Sequence, residues 1–256
     1  MSLFDLTGKT AIITGSSRGI GRAIAEQLAA HGAKVVISSR KAGPCEEVAA
    51  EIGKAGGKAI AIPCHVGEKA QLETLVARTR EAFGPIDILV CNAAVNPYYG
   101  PLIDIPDEAY DRTMNTNVRS SLWLAKLVLP EMAERKDGAI ILVSSIVGIR
   151  GSAMLGAYAI SKAADLQLSR NLAIEWGKHN IRVNCIVPGL VKTDFARALW
   201  ENKELLEETL GNTPLHRIGD PIDIAGAAVF LASAAGRFVT GQAIVADGGV
   251  TIAGRL

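Results

Sequence analysis

Tyr158 and Lys162 stand four residues apart, with Ser144 and Ser145 a short way upstream. If the segment is helical, phenol and ammonium lie on one face. An ammonium beside a phenol favours the phenolate and draws its pKa from about 10 towards neutrality, which would make Tyr158 a proton donor or acceptor at physiological pH. Taken alone the pattern is weak, because a tyrosine closing a core next to a solvated lysine has the same spacing. What matters is whether the rest of the chain gives the pair something to act on.

The elements that must position it are legible in the apolar pattern. Short β-branched runs at Thr10–Ile13, Lys34–Ser38, Lys58–Ile62, Ile86–Val90, Ala139–Val143, Ile181–Ile186 and Ala243–Val245 predict strands. Helical periodicity covers Ile20–Ala30, Cys45–Ile52, Ala70–Phe83, Asp107–Glu134, Tyr158–Trp176 and Ile222–Ala232. Gly32, Gly84-Pro85 and Asp220-Pro221 punctuate the boundaries. Strands separated by helices imply βαβ units, hence an α/β, doubly wound domain of about seven parallel strands with helices on both faces. No linker or internal repeat divides the chain, so residues 1–256 are expected to form a single dinucleotide-binding and catalytic domain. Residues 190–215 interrupt the alternation with charges mixed among Phe195, Leu199 and Trp200, as expected of a cover over a ligand.

In open parallel sheets, ligands bind outside the carboxyl ends of the strands. The unusual residues fall there: Thr14-Gly15-Ser-Ser-Arg-Gly19-Ile-Gly21 after the first strand, Ser39-Arg40 after the second, His65 after the third, Asn92-Ala-Ala after the fourth, Ser144-Ser145 after the fifth, and Pro188-Gly189 with Thr193 after the sixth. The glycine segment has the spacing GxxxGxG, suited to a tight turn, close backbone approach and a helix N-terminus offering free N–H groups to a pyrophosphate. The acid expected about 20 residues further on, which would hold the ribose 2′-hydroxyl of NAD, is replaced by Ser39, and Arg40 follows. A guanidinium binds a 2′-phosphate that a carboxylate would repel, and Arg18 adds a second cation, so NADP(H) is expected over NAD(H).

Composition narrows the function classes. A hydrophobic content of 49% with only 5% aromatics fits a core of Ala, Val, Ile and Leu around buried parallel strands. A net charge of +1 gives no electrostatic case for nucleic acid or an anionic membrane. Cys45, Cys64, Cys91 and Cys185 have neither metal-ligand spacing nor the look of a disulfide framework, so no metal and a reducing compartment are expected. With no signal-like N-terminus and no apolar run of about 20 residues, the chain is expected to be soluble and cytoplasmic. Gly254-Arg255-Leu256 lacks the serine of a peroxisomal SKL-type address and is taken as coincidence.

With these motifs together, the chain resembles the short-chain dehydrogenase/reductase family over essentially its whole length. The carriers are Thr14-Gly15-xxx-Gly19-Ile-Gly21, Cys91-Asn92-Ala93-Ala94, Asn117-Val118, Ser145, Tyr158-xxx-Lys162 and Pro188-Gly189-xxx-Thr193. The resemblance implies a Rossmann domain and hydride transfer to or from the pro-S position of the nicotinamide. It implies that Tyr158 is the general acid in reduction and the base in oxidation. Lys162 would lower the phenol's pKa and hold the nicotinamide ribose, Ser145 would hydrogen-bond the substrate oxygen, and Asn117 would support a water linking Lys162 to solvent. Cofactor contacts are implied for Gly15, Ser17, Arg18, Gly19, Ile20, Gly21, Ser39, Arg40, His65, Val66, Asn92, Ala93, Ala94, Pro188, Gly189, Val191 and Thr193, the last two orienting the carboxamide. Two positions depart from the family: Ala94 replaces a usual glycine beside the cofactor, and His65 replaces the usual aspartate at the adenine. Val95, Asn96, Tyr98, Ile146, Leu155, Leu190, Phe195 and Trp200 are expected to line an apolar pocket for a small-molecule ketone or alcohol.

Within the family, Val36-Ile-Ser-Ser-Arg-Lys41, Cys64-His-Val-Gly67, Asn92-Ala-Ala-Val-Asn-Pro97 and Leu199-Trp200 look most like NADPH-dependent carbonyl and retinal reductases of the peroxisomal type and their bacterial relatives. A 3-oxoacyl-carrier-protein reductase is the alternative, and a catalytically quiet NADP(H)-binding sensor or scaffold a second. Family members are commonly homotetramers paired through the two long helices and the last strand.

Overall fold

The computed structural model describes residues 2–253. Strands β1 (Thr10–Thr14), β2 (Lys34–Ser38), β3 (Lys58–Ala61), β4 (Ile88–Cys91), β5 (Gly138–Val143), β6 (Ile181–Pro188) and β7 (Ala243–Ala246) form one seven-stranded sheet in the order β3-β2-β1-β4-β5-β6-β7, and every neighbouring pair is parallel. The order reverses between β1 and β4, so the ligand crevice of a doubly wound sheet opens at their carboxyl ends.

Helices cover both faces because consecutive strand residues point to opposite sides. Ala11 and Ile13 enter one core with α1 (Gly19–Ala30), α2 (Ala42–Lys54) and α9 (Pro221–Ala232). Ile12 enters the other with α3 (Lys69–Phe83), α5 (Ser120–Arg135) and α6 (Gly156–Trp176). Residues from both sides of β1, β4, β5 and β6 are fully buried, which explains why these strands read as continuous apolar runs.

Three differences from the sequence reading have physical causes. Helix α2 begins at Ala42, ahead of the expected Cys45, because Pro44 falls in the first turn, where its missing N–H costs no intrahelical bond. Strand β4 begins at Ile88, although Ile86 is fully buried: burial without ladder pairing looks the same in a sequence. The expected helix over Asp107–Glu134 is α4 (Asp107–Met114) joined to α5 through a π-helical turn, Asn115–Arg119. That turn holds Asn117. Residues 190–215 contain a 3₁₀ turn (Asp194–Ala196) and two short helices, α7 (Arg197–Trp200) and α8 (Lys203–Gly211). The C-terminal Gly254-Arg255-Leu256 lies outside the described residues. Among the described residues, no helix is long and apolar enough to cross a membrane.

Candidate active site

The carboxyl rim is built first by glycines in places that a side chain would strain or crowd. Gly15 and Gly19 have φ of +67° and +57°. A Cβ on Gly21 would lie 2.4 Å from both Asn92 Nδ2 and the Gly15 carbonyl, so the loop between β1 and α1 closes tightly only without one. Asn92 is the brace of this loop: its Nδ2 donates to the carbonyls of Thr14 (2.9 Å) and Gly15 (3.2 Å), while Thr14 Oγ1 accepts from the N–H of Asn92 and Ala93. Its amide is therefore spent on shaping the cradle. Ser16, which sequence reading passed over, ties the same loop to β2 by donating to the Ile13 carbonyl and accepting from the Ser38 N–H.

No side chain caps the N-terminus of α1, and its first turn carries no acid. The N–H groups there are free for an anion, with Ser17 and Ile20 half-buried beside them. Arg40 is exposed at the end of β2 and forms no ion pair among the described residues. The Ser39 hydroxyl meets Cys45 Sγ at 3.1 Å. His65 Nδ1 accepts from the Gly67 N–H at 3.1 Å, and the neighbouring Val66 is buried. An uncapped helix N-terminus, a glycine turn and an unpaired guanidinium match a pyrophosphate and a second phosphate. The residues present fit NADP(H).

Thr193 closes over the glycine loop, since a Cβ on Gly19 would lie 3.2 Å from its methyl. The neighbouring Asp194 pairs with Arg18 at 3.1 Å and with Arg197, so the cover segment is tied to the cradle. Val191 is buried and pairs with Gly219, and Gly189 packs against Asp247, where a Cβ would lie 2.8 Å from the Asp247 Cα. Pro188 ends β6 opposite Ala246.

Tyr158 sits on the first turn of α6, with Lys162 Nζ 5.7 Å from its ring centroid. The helix is held against β5 by Ser144, whose hydroxyl donates to the Lys162 carbonyl at 2.7 Å. Gly148, in the turn after Ser145, makes room for it: a Cβ there would lie 2.7 Å from the Lys162 carbonyl carbon. Sequence reading singled out neither contact of Ser144 nor any role for Gly148.

The Lys162 ammonium donates to the Val143 carbonyl at 2.8 Å and to Asp165 Oδ2 at 3.0 Å, with both charged side chains buried. Burial works against the Lys162 charge, but Asp165, with Tyr158 adding, holds its pKa above the ordinary lysine value. Asp165 is itself pushed up, its burial outweighing the pull of Lys162. The expectation that Tyr158 is drawn towards neutrality is corrected. Burial pushes the phenol up, Lys162 pulls it down, Asp165 pushes it up again and Ser145 pulls it down; the sum leaves it above the ordinary value.

Asn117 is buried in the π turn. Its side chain brackets Val95, accepting from the Val95 N–H at 2.8 Å and donating to the Val95 carbonyl at 3.0 Å, and it donates to Ser161 Oγ at 2.9 Å. It thereby fixes the segment after β4 that carries Ala93, Ala94, Val95 and Asn96. Of the expected pocket residues, Val95, Leu155, Leu190 and Phe195 remain open or half-buried at the rim, and the Phe195 ring leans on Tyr158 with centroids 5.8 Å apart. Ile146 is corrected to a core residue: it is buried among the side chains under α5 and α6. Tyr98 folds back on its own loop, its hydroxyl donating to the Pro101 carbonyl, and Trp200 donates its indole N–H to the Thr193 carbonyl.

All four cysteines are free and buried. Burial pushes Cys91 and Cys185 up to about 12, so both are neutral thiols near the lysine. Among the described residues, no group of His, Cys, Asp or Glu is arranged to hold a metal.

A family model described as "Enoyl-(Acyl carrier protein) reductase" matches residues 15–251. The chain is 43% identical to rabbit (Oryctolagus cuniculus) dehydrogenase/reductase SDR family member 4 over 95% of its length and 94% of that protein. This chain belongs to the short-chain dehydrogenase/reductase family. Among solved structures, a putative gluconate dehydrogenase from Agrobacterium tumefaciens superposes with a TM-score of 0.95 at 34% identity, covering 98% of each chain. A gluconate 5-dehydrogenase from Burkholderia cenocepacia, in complex with NADP and tartrate, does so with a TM-score of 0.94 at 33% identity, again over 98% of each. An oxidoreductase acting through a nicotinamide cofactor on a small molecule follows from membership of the family.

Proposed function

We propose that this short-chain dehydrogenase/reductase transfers a hydride between NADP(H) and a carbonyl or secondary-alcohol carbon, with Tyr158 as general acid and base. The observation that carries this reading is one juxtaposition. A half-buried phenol stands beside a buried ammonium, next to Ser145, on the same rim as an uncapped helix N-terminus. The bound cofactor supplies or accepts the hydride. The protein's part is proton transfer and charge: Tyr158 gives its proton to the oxygen of a ketone while the Ser145 hydroxyl stabilises the charge developing on that oxygen. A phenol held above its ordinary pKa is protonated at neutral pH, the form needed for reduction. Tyr158→Phe is expected to abolish turnover and leave NADPH binding nearly intact; full activity in that variant would overturn the assignment.

Preference for NADP(H) rests on Arg40, an exposed and unpaired cation where a carboxylate would serve NAD. The Burkholderia relative described with NADP supports the same choice. For the substrate, the apolar side chains of Val95, Leu155, Leu190 and Phe195 favour a ketone with hydrophobic substituents. A carrier-protein substrate needs free cations beside the cleft; Arg197 is engaged by Asp194 and Glu201, while the exposed Lys203 forms no ion pair among the described residues. A screen of NADPH oxidation over aldehydes, diketones, ketoesters, steroids, retinal and acetoacetyl thioesters decides among these. A homotetramer is supported by the apolar side chains of Ile174, Phe238 and Val245, exposed around the C-terminal half of α6 and the β7 edge. Four buried free thiols suit a reducing compartment such as the cytoplasm.

A further inference from the structure

Asp165 lies one turn beyond Lys162, and both side chains are almost completely buried, 2% and 3% exposed. The carboxylate uses one oxygen on the ammonium, while Oδ1 has no hydrogen-bond partner among the described residues. An ion pair so placed is a poor stabilising device. Desolvating two charges is costly, and an apolar pair of similar volume is often neutral or better. The neighbouring α6 residues Leu166 and Leu172 show that this layer accepts leucine. The aspartate is therefore best understood through what it does to its partner.

We propose that Asp165 is a positioning residue: its carboxylate is the fixed counter-ion that keeps the Lys162 ammonium charged and in place beside Tyr158. The inference rests on the Tyr158–Lys162 reading above. The groups facing Lys162 are few. Tyr158 and Asp165 approach from α6, Cys91 from β4 and Cys185 from β6, with Arg170 one step further out beside Cys185. From β5 comes only the neutral Val143 carbonyl. Both thiols are neutral at working pH and so is the phenol, which leaves Asp165 as the one anion against the ammonium among the described residues. Without it, burial and a single carbonyl remain, and burial favours the neutral amine. A neutral Lys162 would neither pull on Tyr158 nor offer a charge-assisted hydrogen bond to a ribose with the N–H left over from Val143 and Asp165. The carboxylate also acts on Tyr158 directly, raising its pKa, so its removal has two separable effects.

The test is Asp165→Asn, with Asp165→Glu as the charge-conserving partner. In alcohol oxidation, where Tyr158 must be deprotonated, the wild-type rate should rise with pH to a plateau. Loss of an opposite charge in contact moves a pKa by about 1–3. In D165N the rising limb should therefore move to lower pH as Tyr158 loses the carboxylate's push, and a falling limb should appear on the alkaline side as Lys162 gives up its proton. The plateau becomes a bell. Binding gives a second readout: the dissociation constant for NADPH, followed by its fluorescence, should rise about tenfold between pH 7 and 9.5 in D165N and stay within about twofold in wild type. D165E should restore the wild-type pH dependence of both. Profiles of D165N that superimpose on wild type in both measurements overturn the proposal. If D165N does not fold, the wild-type chain with ¹³Cε-labelled lysine decides. The Lys162 resonance, assigned by its loss in Lys162→Met, should show no titration below about pH 10, and a midpoint below that refutes the counter-ion role. Turnover in Tyr158→Phe would instead sink the underlying reading, whereas an inactive Y158F with an unaltered D165N profile sinks this inference alone.

Discussion

Gly148→Ala tests whether the contact between the turn after β5 and the backbone of α6 sets the catalytic geometry. The new methyl would lie 2.7 Å from the Lys162 carbonyl carbon and 2.9 Å from the Ala163 nitrogen, where ordinary contact begins at 3.4 Å. Both obstacles are backbone, so turn and helix must part by about 0.7 Å. Overpacking of this kind costs about 1–3 kcal/mol, which for a chain of this size lowers Tm by roughly 2–12 °C. The catalytic cost should be larger than the stability loss implies. Ser145 lies on the turn side of the gap and Tyr158 on the helix side, and a misplacement near 1 Å can cost about 100-fold in rate. We expect kcat to fall about 10–100-fold at a temperature where the variant is fully folded, with NADPH binding changed far less, because the glycine cradle lies across β4 from the disturbance. The measurement is kcat on the best substrate of the carbonyl panel beside Tm and the NADPH dissociation constant. Gly53→Ala is the control: it lies within α2 with open space around its Cβ, and should match or slightly exceed wild-type Tm. A G148A enzyme with wild-type kcat and Tm would refute the reasoning.

Asn117→Ala removes the bracket around Val95, stranding a backbone N–H and carbonyl. Denaturant unfolding should show a loss of roughly 1–3 kcal/mol together with a raised substrate KM, and an unchanged KM would separate Asn117 from the pocket. Arg40→Ala should raise KM for NADPH about 10–100-fold, the worth of one charge-assisted contact, and leave KM for NADH nearly unaltered; a lower wild-type KM for NADH than for NADPH would contradict the cofactor assignment. Asp223 is held below the usual carboxylate pKa first by the bidentate Arg217 guanidinium (2.6 and 2.9 Å) and then by the Asp220 N–H. A depressed folded pKa means stability that is present above the unfolded value of about 3.9 and lost as pH falls through the lower folded one. The Tm gap between wild type and Asp223→Asn should accordingly shrink from pH 6 to about pH 3, and a gap independent of pH would exclude the linkage.

Much of this fold was legible because buried parallel strands and amphipathic helices write different periods into the chain. The glycine loop, Ser145, Tyr158 and Lys162 stood out because each combines an unusual residue type with a strand end or a helical spacing. What stayed hidden was of another kind. Gly148 and Ser144 matter through contacts with the backbone of α6, and backbone partners leave no residue type to read. Asp165 had a usable signal, an acid three residues after a lysine on one helix, but nothing in the sequence said that this face is buried. Ile146 was misassigned because an apolar side chain after a strand suits a pocket and a core equally. The pKa of Tyr158 was misjudged for the same reason: spacing reveals a neighbouring charge, and burial is a property of the fold.

The π turn at Asn115–Arg119 makes the reading frame of the long helix a functional quantity. An extra residue in one turn offsets the helix before it from the helix after it by about 100° relative to an unbroken α-helix. Deleting any one residue of the five would let the regular hydrogen-bond ladder close across the defect. The mended helix would be the better helix, yet either α4 or α5 would turn its core face away, and Asn117 would no longer point at both Val95 and Ser161. Loops elsewhere in such a chain can gain or lose residues and keep their ends in place. Here one codon's worth of length acts as a phase setting, and chain length is as much a determinant of the site as the identity of Asn117.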